Sequence, residues 1–331
     1  MPAPMAPPPL PPDGAAIADA YGLGRPKGPP TAAARGELGR IWRLETSSGS
    51  WAVKEIFDPD SEAEAQADVA FQEAALAAGV PMPRPVRRPD GTVMAEVEAP
   101  GRRATVRVYS WVDIAQPVRR AEATDAAAIL ARLHVLAIPD ARPMKPWFKD
   151  PVTGDRWRDI LAATERAAAP WAATLARLVP DLTAGEPLIA AGRHEPRITC
   201  HLDFNPENVL ADIRGRPVVV DWENSGPAAA EQELASVLAE FVPDPRGTAA
   251  FVRAYEEAGG PARLRDASSF AMCLAFQSEL SAWYAERATD PKVPEEDRDR
   301  AVHWIGDIAA NVFTVARIDA WLAAATGGKV S

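Results

Sequence analysis

The spacing of apolar residues divides the chain into a strand-rich first third and a helical remainder. Between residues 41 and 57, two strand-like runs flank the Ser/Gly turn at 47–50, which predicts a β-hairpin. Residues 61–78 are rich in alanine and acidic residues and stop at Gly79, which predicts one helix. Residues 91–113 again have the composition of strands. We therefore expect a small strand-rich lobe at residues 14–112.

Beyond residue 113 the apolar residues recur with the longer period of a helix. In residues 124–137 four apolar side chains share one helical face: Ile129, Leu130, Leu133 and Leu136. Three more stretches have the pattern of long helices: 231–242, 266–287 and 302–328. A lone hairpin interrupts them, "NVLADI", the turn "RGRP", then "VVVDW". The second lobe, residues 113–326, is therefore predicted to be helical.

Composition narrows the possible settings and partners. The chain has 331 residues, a net charge of -10 and a pI near 5.1, which argues against nucleic acid as a partner. The two cysteines form no zinc or disulfide spacing, so a reduced cytoplasm is the simplest setting. No apolar run approaches the roughly 18 residues of a membrane span. The proline-rich residues 1–13 are predicted to be a disordered tail.

Candidate chemistry gathers in "CHLDFNPENVLADIRGRPVVVDWENSG", residues 200–226. His201 and Asp203 are followed by Asn208 and, past the hairpin, by Asp221. The side-chain oxygens of Asn208 and Asp221 are ligands that Mg²⁺ prefers. Asp203 is then free to accept a hydroxyl proton. A His-x-Asp pair alone is a weak signal, but Asn208 and the strand-ending Asp221 strengthen it, and together these residues predict a site for a divalent metal.

The motif H-x-D-x-x-x-x-N, followed by a strand and D-W, resembles that of the aminoglycoside phosphotransferases and choline kinase-like small-molecule kinases. The resemblance extends from about residue 30 to residue 325, and Leu202 departs from it, since relatives have a small residue there. It implies an α+β, bilobal, protein-kinase-like fold, with a small strand-rich N-lobe and a larger helical C-lobe. It also implies ATP or GTP as co-substrate and Mg²⁺ as metal.

The resemblance implies a role for each matching residue. Asp203 would be the catalytic base, His201 would hydrogen-bond within its loop, and Asn208 and Asp221 would hold Mg²⁺. Glu233 takes the place of an aspartate that braces the catalytic loop. The nucleotide would contact Lys54, Ala52, the turn with Gly36 and Gly39, and a hinge of Tyr109, Ser110, Trp111 and Val112. The acid that pairs with Lys54 is expected on the helix, with Asp68 preferred over Glu64 and Glu73.

No motif identifies the small-molecule hydroxyl acceptor. Glu223, Glu279 and Trp283 are candidates to line its pocket. The excess of acidic residues over 223–257 suggests that the helical lobe presents carboxylates to a cationic acceptor, and Glu279 and Trp283 lie on a later predicted helix. An antibiotic such as an aminoglycoside is the first hypothesis for the acceptor. A metabolic amino alcohol, sugar or nucleoside is the second. A non-catalytic nucleotide-binding protein is the third, and the intact Lys54, Asp203, Asn208 and Asp221 disfavour it. Oligomeric state stays open.

Overall fold

The computed structural model describes residues 10–192 and 197–325, which form two compact units. The first unit comprises the described residues up to Ala121 together with Glu207–Ser225, and the second comprises Glu122–Pro206 and the chain from Gly226 onward. These limits differ from the predicted lobes, 14–112 and 113–326, mainly because residues 207–225 belong to the first unit. Most of the predicted tail and residue 326 lie outside the described residues.

The strands, in chain order, are β1 Thr31–Arg35, β2 Gly39–Thr46, β3 Gly49–Ile56, β4 Pro85–Val86, β5 Ala95–Ala99, β6 Arg102–Ser110, β7 Ile198–Cys200, β8 Val209–Ala211, β9 Pro217–Val219 and β10 Gly226–Ala228. The helices are α1 Gly14–Tyr21, α2 Glu62–Ala77, α3 Ala123–Val135, α4 Gly154–Arg166, α5 Ala172–Thr183, α6 Glu186–Ala191, α7 Ala230–Phe241, α8 Thr248–Glu257, α9 Ala271–Thr289, α10 Glu295–Asn311 and α11 Val315–Ala325.

The first unit is built on an antiparallel sheet of six strands, in the order β1-β2-β3-β6-β4, with β5 also pairing with β6. In the β3–β6 ladder Lys54 lies opposite Arg107 and Ala52 lies opposite Tyr109, so these four side chains share one face. The other face carries buried apolar residues such as Val53, against which α1 packs. The sheet thus separates an apolar core from a polar face.

Helix α1 lies at the start of the predicted strand-rich lobe, in a stretch for which the apolar pattern predicts no element. Asp13 caps it, accepting hydrogen bonds from the amides of Ala15 and Ala16. Its last residue, Tyr21, is buried, and its hydroxyl lies 2.7 Å from the carbonyl oxygen of Val106. The helix has eight residues, too few for a clear period in the sequence.

The predicted hairpin is present as β8 and β9, and hydrogen bonds tie it to the first unit. Val209 pairs with Val219, and the amide of Val220 donates to the carbonyl of Asn208 at 2.8 Å. On its other edge, the amide of Ala121 donates to Val209 at 2.8 Å. These backbone bonds explain why residues 207–225 belong to the first unit, although the residues before and after them in the sequence belong to the second.

The second unit is helical, as predicted, but residues 302–328 do not form one helix. The chain is helical in α10 and α11 and extended between them. The side chain of Gln277 accepts a hydrogen bond from the amide of Phe313 at 2.7 Å, which replaces a helical bond at the break. Within the described ranges no single helix is long and apolar enough to span a membrane, and only α10 and α11 taken as a bent pair meet that test.

Candidate active site

Lys54 lies among acidic side chains of the first unit. Its Nζ is 2.5 Å from Oδ1 of Asp221 and 2.7 Å from Oε2 of Glu223, two residues that follow β9. The hydroxyl of Tyr109 donates to the other oxygen of Glu223 at 2.9 Å. Lys54, Tyr109 and Glu223 are mostly buried, whereas the Asp221 side chain is 42% exposed. The cluster therefore has one acid open to solvent and one held inside.

The acid predicted to pair with Lys54, Asp68, lies instead against Arg107. Arg107 Nη1 is 3.2 Å from the Asp68 carboxylate, and both side chains are buried. Glu64 completes the N-terminal cap of α2, and Glu73 binds Arg87 at 2.7 Å. Arg107 was missed in the sequence, although it stands two residues before Tyr109, on the face of the strand that carries the predicted hinge tyrosine.

The electrostatic balance of the cluster keeps Lys54 protonated. Burial by itself lowers the pKa of Lys54, but the charges of Asp221 and Glu223 outweigh it and raise the pKa above its ordinary value. For the acid Glu223 burial has the opposite effect and raises the pKa, yet the positive charges of Lys54 and Arg107 bring that pKa below its ordinary value. Burial and the neighbouring Glu223 raise the pKa of the Tyr109 hydroxyl, which stays a donor.

The predicted phosphate turn lies beside Lys54. Gly36 donates its amide to the carbonyl of Gly39 at 3.0 Å. A Cβ at Gly39 would lie 2.6 Å from the carbonyl oxygen of Glu55 and 3.6 Å from Cε of Lys54. Only glycine allows this close approach of β2 to β3. The turn and Lys54 are thus neighbours in the first unit.

The predicted hinge spans the end of β6, with Tyr109 and Ser110 in the strand and Trp111 and Val112 beyond it. The amide of Ser110 donates to Arg84 at 2.8 Å, and that of Trp111 donates to Ser50 at 3.1 Å. The guanidinium of Arg43 lies 4.8 Å from the centroid of the Trp111 ring. Val112 continues the chain beyond the strand, and Ala52 lies opposite Tyr109 in the ladder. The hinge positions are therefore fixed to neighbouring strands by backbone bonds.

The two predicted metal ligands lie at one end of the hairpin. Because Val209 pairs with Val219 and Val220 bonds to Asn208, Asp221 is only one residue beyond the partner of Asn208. Asp221 has a φ of 63°, a left-handed conformation that a non-glycine residue adopts at some cost. The amide oxygen of Asn208 and the partly exposed carboxylate of Asp221 are hard-oxygen donors of the kind that Mg²⁺ prefers.

The second unit holds the loop with His201 and Asp203 that was predicted to be catalytic, and we call it the catalytic loop. His201 is fully buried, and its Nδ1 lies 3.3 Å from the amide of Asp203. The Asp203 side chain, which is partly exposed, accepts a hydrogen bond from Nδ2 of Asn205 at 2.8 Å. Leu202 has a φ of 63°, so the loop turns sharply between His201 and Asp203. His201 is thus held inside the loop, and one carboxylate oxygen of Asp203 accepts the hydrogen bond from Asn205.

Glu233 on α7 holds the loop from beneath. Its Oε1 accepts a hydrogen bond from the amide of Leu202 at 2.7 Å, and its Oε2 lies 2.8 Å from Nε2 of His134. Nδ1 of His134 lies 2.7 Å from the hydroxyl of Tyr255. Burial raises the pKa of Glu233, but the bonds to His134 and Leu202 bring it below the ordinary 4.5. Cys200 lies nearby, and because both ring nitrogens of His134 are hydrogen-bonded, this group is a structural network. Tyr255 carries no signal in the sequence.

The predicted acceptor residues are placed as follows. Glu223 lies in the first unit against Lys54. Glu279 and Trp283 lie one turn apart on α9, in the second unit. Oε2 of Glu279 is 2.7 Å from a guanidinium nitrogen of Arg156. The ring of Trp283 lies 6.0 Å from that of Trp147.

The sequence matches the family model described as "Phosphotransferase enzyme family" over residues 31–267, most of the chain. That range includes Lys54, Asp203, Asn208 and Asp221. A search of the curated proteins finds no match.

Solved structures with the same fold cover almost the whole chain. An aminoglycoside phosphotransferase from Alicyclobacillus acidocaldarius is 19% identical, with a TM-score of 0.55, and covers 99% of this chain and 97% of its own. A spectinomycin phosphotransferase, solved with ADP and spectinomycin, is 12% identical, with a TM-score of 0.62 and coverages of 90% and 93%. A choline/ethanolamine kinase family protein from Mesorhizobium loti is 18% identical, with a TM-score of 0.56 and coverages of 95% and 98%. These likenesses confirm the predicted bilobal, protein-kinase-like fold.

Proposed function

The chain belongs to the phosphotransferase enzyme family, and from this premise we propose that it transfers the γ-phosphoryl group of ATP or GTP to a hydroxyl of a small molecule. The ion pair of Lys54 with Asp221 carries the proposal. These two residues are far apart in the sequence, and both are positions that the kinase resemblance assigns to phosphate and metal binding. A nucleoside-triphosphate site needs a lysine for the phosphates close to an acid that can bind the metal, and the Lys54–Asp221 pair is consistent with this.

In the proposed reaction, the bond between the γ-phosphorus and the β,γ-bridging oxygen breaks, and a bond from phosphorus to the acceptor oxygen forms. The hydroxyl proton passes to the carboxylate of Asp203, and a nucleoside diphosphate leaves. Lys54 holds the phosphates with its positive charge. When bound at Asn208 and Asp221, Mg²⁺ would neutralise phosphate charge. Catalysis then comes mainly from positioning and charge stabilisation.

Two acceptor classes fit this function. An antibiotic such as an aminoglycoside is favoured by the acidic composition, with a net charge of -10. A metabolic alcohol, sugar or nucleoside is favoured by the partly exposed aromatic side chains of the second unit, among them Trp147 and Trp283. The same proposal places the enzyme in the cytoplasm, with neither nucleic acid nor membrane as a partner.

A coupled assay of nucleoside-diphosphate release, run across antibiotics and metabolites with Mg²⁺, tests the proposal. Asp203→Ala is expected to lower turnover at least about a thousandfold, within the range seen for essential groups, while nucleotide binding is retained. Asp181→Ala, an exposed acid on α5, is the matched control and should behave as wild type. Turnover by the Asp203→Ala variant at the wild-type rate would exclude Asp203 as the base.

A further inference from the structure

Three aromatic side chains of the second unit form a partly exposed patch, which we call the aromatic patch: Trp147, Phe276 and Trp283. The ring centroid of Trp147 lies 6.3 Å from that of Phe276 and 6.0 Å from that of Trp283. Phe276 also stacks on the buried Phe148 at 5.4 Å, with the planes only 16° apart. The patch is thus supported from below and presents ring surface outward.

The aromatic patch adjoins the catalytic loop. Leu202, the residue immediately before Asp203, belongs to the buried cluster on which Trp147 and Phe276 pack. Leu202 is only 8% exposed, so its side chain lies largely inside this cluster. The residue before Asp203 and the aromatic patch therefore share one apolar cluster.

The acidic side chains of α9 are already ion-paired. Glu279 and Glu286 are the acids of this helix, and both bind Arg156, at 2.7 Å and 2.8 Å. The guanidinium of Arg287 lies 5.1 Å from the Trp283 ring centroid and pairs with Asp297 at 3.1 Å. A polycation binding here would compete with arginines for each of these carboxylates.

Resting on the proposed function, we propose that the aromatic patch is the acceptor subsite and that the acceptor is a hydroxyl compound with an apolar or aromatic ring face, carrying at most one positive charge. Such a face packs on Trp147 and Phe276 in offset or edge geometry. The two carboxylates of α9, Glu279 and Glu286, are both paired with Arg156, and a polycationic aminoglycoside would have to displace that arginine. The acceptor class is therefore set by this chain's own aromatic residues, apart from the phosphoryl-transfer residues.

The test compares acceptors of opposite character with one enzyme. Adenosine and erythromycin present apolar ring faces, and kanamycin is a polycation. We expect kcat/KM in the coupled assay to be at least tenfold higher with one of the first two than with kanamycin. Binding of the same compounds, measured by calorimetry with a non-hydrolysable nucleotide present, should follow the same order.

Variants then link that preference to the patch. Trp147→Ala is expected to raise the acceptor KM at least tenfold and to leave the nucleotide KM unchanged, whereas Trp147→Phe restores most of the loss. Trp171→Phe, a partly exposed tryptophan at the start of α5, is the control for general damage, and thermal unfolding of each variant confirms folding.

Three results overturn the proposal while leaving the phosphotransferase function intact. They are a preference for kanamycin, an acceptor KM unaffected by Trp147→Ala, and active enzyme that neither binds nor phosphorylates any apolar-faced compound. Absence of Mg²⁺-dependent nucleotide turnover with every acceptor and with water would instead refute the proposed function itself.

Discussion

Glu223 is the residue that fixes the position of the Lys54 charge. One of its oxygens binds Lys54 and the other accepts from Tyr109, so the carboxylate is held at both ends. Asp221, which also pairs with Lys54, is by contrast 42% exposed. Asp68, the helix acid predicted to pair with Lys54, is paired with Arg107. At the residue scale, the orientation of Lys54 is therefore expected to depend on Glu223.

Glu223→Gln tests this dependence. Glutamine keeps the size of the side chain but removes a charged hydrogen bond, which typically contributes about 1.5 to 3 kcal/mol. We expect nucleotide affinity, measured by calorimetry with Mg²⁺, to fall by about tenfold to a hundredfold. Glu96→Gln, on the exposed side of β5, serves as the control. Equal or tighter nucleotide binding by Glu223→Gln would show that Lys54 is held in place without it.

At the element scale, local sequence patterns predict the elements that position the site, and tertiary contacts decide the rest. The hairpin β2–β3, helix α2 and the hairpin β8–β9 follow from apolar runs and turn residues. The break between α10 and α11 does not, because it depends on Gln277 from a different helix. The pairing of Lys54 with Glu223 depends on where the chain after β9 meets β3. The spacing of residues along the chain does not specify which strand the chain after β9 will meet.

Helices α3, α7 and α8 meet in the network of His134, Glu233 and Tyr255 beneath the catalytic loop. The pKa of Glu233 is lowered in the folded protein, so the unfolded chain binds its proton more readily. Its contribution to stability is therefore complete above the ordinary pKa of 4.5 and is lost as pH falls through the lowered folded value.

Glu233→Gln should remove this part of the pH dependence. Urea unfolding at pH 7, 5 and 4 is expected to show a smaller loss of stability on acidification than in wild type, on top of a lower stability at pH 7. Glu257→Gln, an exposed residue at the end of α8, is the control and should retain the wild-type slope. A slope unchanged by Glu233→Gln would mean that other carboxylates dominate the acid response.

On the scale of the whole molecule, the chain passes between the two units three times, at residues 121–122, 206–207 and 225–226. The segment that carries Asn208 and Asp221 is thus part of the first unit while both of its ends are covalently joined to the second. Its hydrogen bonds to residues 113–121 lie within the first unit, and they hold in place the two points at which the chain leaves for the second unit. The two units are therefore expected to lose structure together.

Ala211→Pro tests this coupling. Proline removes the amide that donates to the carbonyl of Arg119 at 2.8 Å and should lower the free energy of unfolding by about 1 kcal/mol or more. Tryptophans of both units report on unfolding, among them Trp42 and Trp157. Fluorescence and far-ultraviolet circular dichroism should give one coincident transition in wild type, shifted as a whole in the variant. Ile213→Ala, 66% exposed at the hairpin turn, should leave the midpoint in place. Two separate transitions, of which Ala211→Pro moves only one, would show that the units unfold independently despite sharing the hairpin.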